Sequence, residues 1–414
     1  MIVFRPKEVL FAMLALLLYF QIYIQLFVSP FQYFDEALSV LFFLYFMMVL
    51  SKRLQTSHCT MLIMIVAVVI IGLMGNYTAG VRTDIKPIIN DMGNTIKLFL
   101  IYLGASSYLY NHLKKEYVVK YIAFVFKGFV GILFVCMLLH FTGIVNFGTD
   151  VRFGLNSFQF VNNGAGQLSV MMYAIIMMLT ADLKNPGNVA IKKMFIIMAL
   201  IVWISTLRSR AFMFVAIYCF VYYTVVIRKG KFKLNIKNGI VILGILYMFG
   251  VEQAESYFAN DKTARANLLR YGIRTMKDYF PIGAGFGTYG TDVAAKFYSP
   301  LYVKYGFNRI YGLAREYSVF ARDSYWPAIM GQFGFLGLIA MVVLIGQWVF
   351  DVLKKTRYNK YTFVAGIFIA VTQVVSSIAT ATFFNFVTVA IFFMIPLIFS
   401  DDIKQQAAKF VKFR

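Results

Sequence analysis

Twelve apolar stretches of 17 to 25 residues run through this 414-residue chain, with little polar sequence between most of them. They fall at about 8–28, 33–51, 60–76, 92–111, 118–141, 166–183, 191–207, 211–227, 238–254, 326–350, 361–378 and 381–399. A helix needs about 20 apolar residues to cross a bilayer, and only helices and closed barrels satisfy their backbone groups there. Composition points the same way, since 60% hydrophobic and 14% charged residues are the proportions of a polytopic membrane protein. The expected fold class is all-α, with about twelve transmembrane helices. The stretches 191–207 and 211–227 are together too long for one span. A single helix through both would set Leu-Arg-Ser-Arg at mid-membrane, where charge is costly, so a tight turn is expected between them.

One interruption differs from the rest. Residues 252–325 form a long, partly helical loop, the only soluble piece large enough to build a site. It divides the chain into an N-terminal bundle of about nine spans (1–251) and a C-terminal part (326–414) of about three spans and a tail. Lys and Arg give the sidedness. With the N-terminus inside, the cytoplasmic segments hold 23 of them and the short outer loops 5. That bias sets the expected orientation, with both termini in the cytoplasm and the large loop outside. Arg5 and Lys7 precede the first apolar run as in a signal sequence, but no small-x-small cleavage site follows, and the run is read as an uncleaved first span. The same bias accounts for the net charge of +22, and no nucleic-acid partner is expected. Cys59, Cys136 and Cys219 lack metal-ligand spacing, and no metal or cofactor is expected.

The large loop holds ten Lys and Arg against seven Asp and Glu. Its segment 262–280, KTARANLLRYGIRTMKDYF, has helical periodicity. Leu268, Leu269, Ile273, Met276, Tyr279 and Phe280 share one arc, and Arg270, Arg274 and Lys277 the opposite one. Arg265 falls inside the apolar arc. An unpaired charge is expensive there, so Arg265 is expected to have a carboxylate or phosphate partner. PIGAGFGTYG follows at 281–290. Its glycines and proline suggest a tight loop with exposed N–H groups, a nest able to hold an anion, with a plain turn between helices as the alternative; it is neither a Walker A nor a Rossmann fingerprint. Aromatic residues recur from 271 to 325, among them Tyr289, Phe297, Tyr298, Tyr302, Tyr305, Tyr311, Tyr317 and Tyr325. Membrane-interface placement is expected for most and stacking on sugar rings for a few.

Four segments carry a family resemblance: RFGLNSFQFVNNGAG (152–166), LRSRA (207–211), ARANLL (264–269) followed by FPIGAGFGTYG (280–290), and RDSYWPAIMGQFGFLGL (322–338). In order and placement they resemble the bacterial O-antigen polymerase and O-antigen ligase superfamily. The resemblance implies a membrane fold of the lipid-linked glycosyltransferase (GT-C-like) type and metal-independent transfer of a glycan from polyprenyl pyrophosphate. The site would lie at the outer face of the bacterial cytoplasmic membrane. A polymerase moves the glycan onto the sugar of a second lipid-linked repeat unit; a ligase moves it onto lipid A core. The implied partners are the lipid-linked donor and acceptor, the surrounding membrane lipids and a separate chain-length regulator protein. Ligases resemble one another in a His just before the Gly-x-x-Gly of the next span. Here that place reads Arg322-Asp323-Ser324-Tyr325-Trp326, and the large loop has no His. His58 and His112 fall on the cytoplasmic side, and His140, near an outer span end, is read as an interface residue. A polymerase is therefore preferred to a ligase.

Such a transfer needs positive charge for the departing diphosphate and an acceptor for the hydroxyl proton. Guanidinium forks match phosphate oxygens. Arg210 and Arg265 are the catalytic candidates, and Arg152, Arg208, Arg270, Arg274, Gly283 and Gly285 the pyrophosphate-binding ones, with a solvated face as the alternative for Arg270 and Arg274. Asp323 is the first choice of base and Glu316 the second. A helix N-cap is the alternative role for Asp323. Tyr289 and Tyr325 are the sugar-binding candidates. Glu252, Glu255, Asp278, Asp35 and Glu36 are weaker carboxylates, and Asp401-Asp402 is on the wrong side. Lys97 and Lys127 lie within spans, snorkelling or, for Lys97, approaching a lipid phosphate. A transporter or flippase of lipid-linked or anionic glycans is the reading from another class, and a receptor or scaffold a third.

Overall fold

The computed structural model describes residues 5–50, 56–162, 164–228, 236–254 and 263–400. The first half is a run of helices: α1 Pro6–Tyr19, α2 Gln21–Ile24, α3 Phe34–Leu50, α4 Thr56–Ala79, α5 Ile85–His112 and α6 Lys115–Phe141. A short hairpin follows, β1 Val151–Arg152 and β2 Leu155–Asn156, with Arg152 opposite Leu155. Then come α7 Ala165–Asp182, α8 Val189–Ile204, α9 Ser209–Tyr222 (extended by a π-turn, Tyr223–Ile227) and α10 Ile236–Ala254. The large loop contributes α11 Ala264–Asp278, α12 Asp292–Lys296 and α13 Pro300–Lys304. The chain closes with α14 Tyr325–Thr356, α15 Lys360–Ala379 and α16 Phe386–Met394. Most expected apolar stretches coincide with a helix, but 8–28 is broken at Phe20 and 381–399 is a short α-helix between two 3-10 turns; the expected turn, at Leu207 and Arg208, separates α8 from α9.

Among the described residues, seven helical segments are long and apolar enough to cross a membrane. The chain is thus a nearly all-α, membrane-embedded protein. The centre of the bundle is α7, in which every side chain from Leu168 to Asp182 is buried, as a helix that is apolar all round requires. The helix ends sort into two faces. At the end away from the large loop, α4, α5 and α14 are tied by one buried carboxylate. Asp351 Oδ2 accepts from Tyr102 Oη at 2.6 Å and Lys355 Nζ at 2.7 Å, with His58 Nε2 3.2 Å from the same ammonium.

At the loop-bearing end, α14 departs from the expected span at 326–350. Gly334 has φ 61° and ψ −154°, which breaks the helix and leaves carbonyls of its last turn without helical partners. The glycine loop fills the break. Ala284 N–H donates to Gly331 O at 3.0 Å, Gly285 N–H to Gln332 O at 2.8 Å, and Leu336 N–H to Pro281 O at 3.1 Å. On its other side the loop lies on α4, where a Cβ at Gly75 would meet Gly285 N at 2.8 Å. Asn76 clamps Phe286 there, donating to its carbonyl at 3.0 Å and accepting from its N–H at 2.8 Å.

The large loop has a core of its own, in which Leu268, Tyr289, Tyr302, Phe307 and Leu313 are buried. The arc expected to bury α11 is partly corrected. Leu268 is inside, but Phe280 is 67% exposed, and Gly272 and Thr275 are buried instead. The reason is close approach: a Cβ at Gly272 would sit 2.9 Å from Pro327 O, so small residues face α14.

This geometry sets a stability test. Gly283 has φ 75°, and a Cβ there would overlap the Gly334 amide. Gly283→Ala is expected to destabilise by about 2 kcal/mol, read as a lowered fluorescence-detected unfolding temperature in detergent. Gly128→Ala, in α6 with open space around it, is the control that leaves the temperature unchanged or raises it.

Candidate functional site

At the loop-bearing end the broken α1–α2 segment, the first turn of α3, the N-terminal half of α5, the loop at Thr291 and the start of α16 line a polar cleft of about 220 Å³. Gln21, Gln25, Gln32, Asp35, Glu36, Asp91, Asn94, Lys97, Thr291, Asp292, Phe384 and Phe386 line it. Asp35 and Glu36 lie in the first turn of α3, where a helix N-terminus favours anions. Lys97 lies between them, donating to Asp35 Oδ2 at 2.6 Å and Glu36 Oε1 at 2.9 Å. The lysine neither snorkels nor waits for a lipid phosphate; its charge is already matched. Gln21 Nε2 donates to Asp35 Oδ1 and to Gln32 O, each at 3.0 Å.

Asp91 lies ahead of the apolar part of α5, which begins at Met92. Its Oδ2 accepts from Gly287 N–H and from Gln332 Nε2, both at 2.7 Å. Complete burial pushes the carboxyl up, to about 6, against the lowering effect of those bonds. Gln332 Nε2 also donates to Tyr289 O at 2.9 Å, so one amide in the broken part of α14 joins the loop to α5.

The cleft's rim leads to the expected residues. Asp292 accepts from Arg322 Nη1 at 2.6 Å, and next to Arg322 in sequence Asp323 Oδ2 accepts from Arg265 Nη2 at 3.2 Å. Arg265 therefore has the carboxylate partner that its place in the apolar arc demands. The N-cap position of α14 belongs to Ser324, whose side chain makes no cap bond, which leaves the Asp323 carboxylate to Arg265. Burial raises the Asp323 carboxyl above the ordinary aspartate value, opposed by Arg265 and Arg322. Asp292 raises the Arg322 guanidinium.

The other expected residues lie elsewhere. Arg152 Nε and Arg208 Nη2 share Asp150 Oδ2 at 3.0 and 2.9 Å, a partner the sequence reading did not weigh. Arg210 Nη2 donates to Gly166 O at 2.7 Å, at the start of α7. Glu316 is exposed and outside the cleft lining. Arg270 is exposed. Arg274 is exposed too, 3.9 Å from Asp278 and over the Tyr305 ring. The nest expected at Gly283 and Gly285 is corrected, because Gly283 N–H donates to Tyr279 O at 2.8 Å and Gly285 N–H is held by α14. The sugar-contact role of Tyr289 and Tyr325 is corrected as well. Tyr289 is buried with its hydroxyl donating to Leu268 O at 2.7 Å, and Tyr325 is buried against Phe383 and Phe384. His140 is structural: its Nδ1 accepts from Phe147 N–H at 3.1 Å and Nε2 bonds Asn156 O at 3.0 Å. Lys127 donates to Asp182 Oδ2 at 2.7 Å. Glu255 and Asp401-Asp402 lie outside the described residues, as does the side chain of Glu252.

Sequence reasoning missed Asp91, Gln332 and the Asp292–Arg322 pair. A signal existed for the first: Asp91, Asn94 and Lys97 recur every three residues on one face of α5, leading into its apolar run. No protein-family model matches the chain, and no curated protein matches it in sequence.

The triad of buried Lys97 and Asp35 with the part-exposed Glu36 gives a direct test. Lys97→Met strands two carboxylates and is expected to destabilise by about 3–5 kcal/mol, read as a lower unfolding temperature in detergent. Adding Asp35→Asn and Glu36→Gln to the same protein should recover much of that loss.

Proposed function

We propose that the chain is a metal-independent glycosyltransferase that polymerises lipid-linked oligosaccharide repeat units. On this reading about twelve helices cross the bacterial cytoplasmic membrane in a GT-C-like arrangement. Both termini are cytoplasmic, and the large loop and the cleft face outward. The motif order supports it, and one observation carries most of the weight: a guanidinium and a carboxylate, Arg265 and Asp323, are paired beside Arg322, whose own partner Asp292 lines a polar cleft in a membrane-embedded bundle.

The reaction balances with these groups. The bond from the anomeric carbon to the diphosphate oxygen breaks, and the lipid diphosphate leaves with its electron pair. The acceptor hydroxyl oxygen bonds that carbon, and its proton passes to Asp323. Arg265 and Arg322 hold carboxylates in the free protein. A diphosphate carries more charge and competes for the same forks, so its arrival would release Asp323 to act as base. Arg210, held on a backbone carbonyl, and Arg152 and Arg208, which share one carboxylate, lie outside the cleft lining and take no part in this step.

A transporter or flippase draws on a different observation. The break in α14 and the buried ionisable groups Lys97, Asp35 and Asp91 are features that transporters use. The same reconstituted assay separates the two, since transport leaves glycan length unchanged.

Purified protein in lipid nanodiscs with lipid-diphosphate-linked repeat units should yield a ladder of longer glycans. Arg265→Ala and Asp323→Asn should each slow it by about 10²- to 10⁴-fold; a ladder untouched by both removes the assignment. The raised Asp323 carboxyl sets the sign of the pH profile. The ionised form is the base, so the rate falls as pH drops through that raised value. Asp323→Asn should abolish this acid limb.

A further inference from the structure

The cleft's unmet hydrogen-bonding capacity identifies what it holds. Among the described residues, Asp91 Oδ1 and Gln21 Oε1 are buried atoms with no hydrogen-bond partner, as is Glu36 Oε2. Asp91 and Gln21 are 0% and 1% exposed, and all three side chains line the one cleft. Orphaned buried polar groups are rare and costly. Every one of these three is an acceptor, so the missing partner is a donor. A phosphate is excluded by the same logic, because it would add acceptors beside carboxylates.

The donors must also be spread out. Among the described residues no three His, Cys, Asp or Glu side chains are placed to hold a metal ion. A metal ion therefore lacks a ligand set here, whereas several hydroxyls on one ring match acceptors that are spread out. The lining agrees, since Phe384 and Phe386 are part of it together with the polar groups. A sugar ring presents this combination of hydroxyl edge and C–H face. The volume of about 220 Å³ holds roughly seven waters, room for one ring rather than a chain. Beyond Gln25 the segment Leu26, Phe27 and Val28 is exposed and apolar, a rim suited to a sugar that arrives on a lipid.

We infer that this cleft binds a single neutral sugar ring through Asp91, Gln21 and Glu36, as the acceptor subsite of the transferase. The identification of that ring as the acceptor rests on the polymerase reading; the binding of a sugar does not. The acceptor hydroxyl would then be presented across the Asp292–Arg322 pair toward Asp323, and the diphosphate of the donor would stay outside the cleft.

The test is saturation-transfer NMR on the full chain in nanodiscs, with methyl glycosides of glucose, galactose and N-acetylglucosamine. Inorganic pyrophosphate and methylammonium serve as competitors. At least one glycoside should bind saturably, with a Kd on the order of 1 mM. Asn94→Trp, which fills the cleft, should weaken it at least tenfold, and so should Asp91→Asn. Both variants are compared at matched unfolding temperature, and Asn94→Ala, which leaves the space open, should still bind. Three results overturn the inference: no saturable glycoside, binding that survives both Asn94→Trp and Asp91→Asn, or displacement of the glycoside by methylammonium or pyrophosphate. Ladder formation without glycoside binding would remove the subsite and leave the polymerase reading. Glycoside binding without any ladder would do the reverse.

Discussion

The structure depends on a break in one helix and on what fills it. Inside a bilayer an unpaired carbonyl has no water to turn to, so irregular backbone survives only where protein covers it. Gly334 interrupts α14, and the glycine loop supplies the N–H groups that the interrupted turn requires. The same loop lies against Gly72 and Gly75 of α4, where the glycines leave room for Phe286 and the loop backbone. Its amide at Gly287 then reaches Asp91 on α5. One backbone insertion thus fixes α4, α5 and α14 relative to the large loop, and the cleft is the space left beside it.

Charge is distributed by the same economy of partners. Lys97 is matched by Asp35 and Glu36, Lys355 by Asp351, and Lys127 and Lys192 by Asp182. Each pair or triad joins different helices or successive turns, and breaking one leaves an uncompensated charge in a low-dielectric interior. Asp91 has no such ion pair: its hydrogen-bond donors, Gly287 and Gln332, are neutral, as is the Thr291 hydroxyl beside it. Among the described residues its other oxygen has no hydrogen-bond partner, a costly arrangement for a buried acid.

Several site residues were legible because the argument was local. Arg265 within an apolar arc required an anion, and Asp323 provides it. Lys97 inside an apolar stretch required neutralising, yet nothing local indicated that its partners were Asp35 and Glu36, 62 and 61 residues away. The glycine loop was misread for a related reason. Glycines signal close approach of the backbone, but to a ligand and to another helix alike, and the sequence does not distinguish the two. Tyr289 and Tyr325 were misread because a tyrosine has an apolar body as well as a polar tip; their burial is set by packing.

What the sequence alone determined is the helical, membrane-embedded class, the approximate places of the apolar helices, the turn between α8 and α9, and the need for an anion beside Arg265. These follow from hydrophobic length, helical period and the cost of burying charge, all of which act within a few turns of chain. The tertiary structure decided which acceptor meets each donor, that the glycine loop is a clasp, and that Asp91, Gln21 and Glu36 face one cleft. Those outcomes join residues as far apart as Gln332 and Asp91, 241 positions distant. They depend on where whole helices pack, which no local pattern encodes.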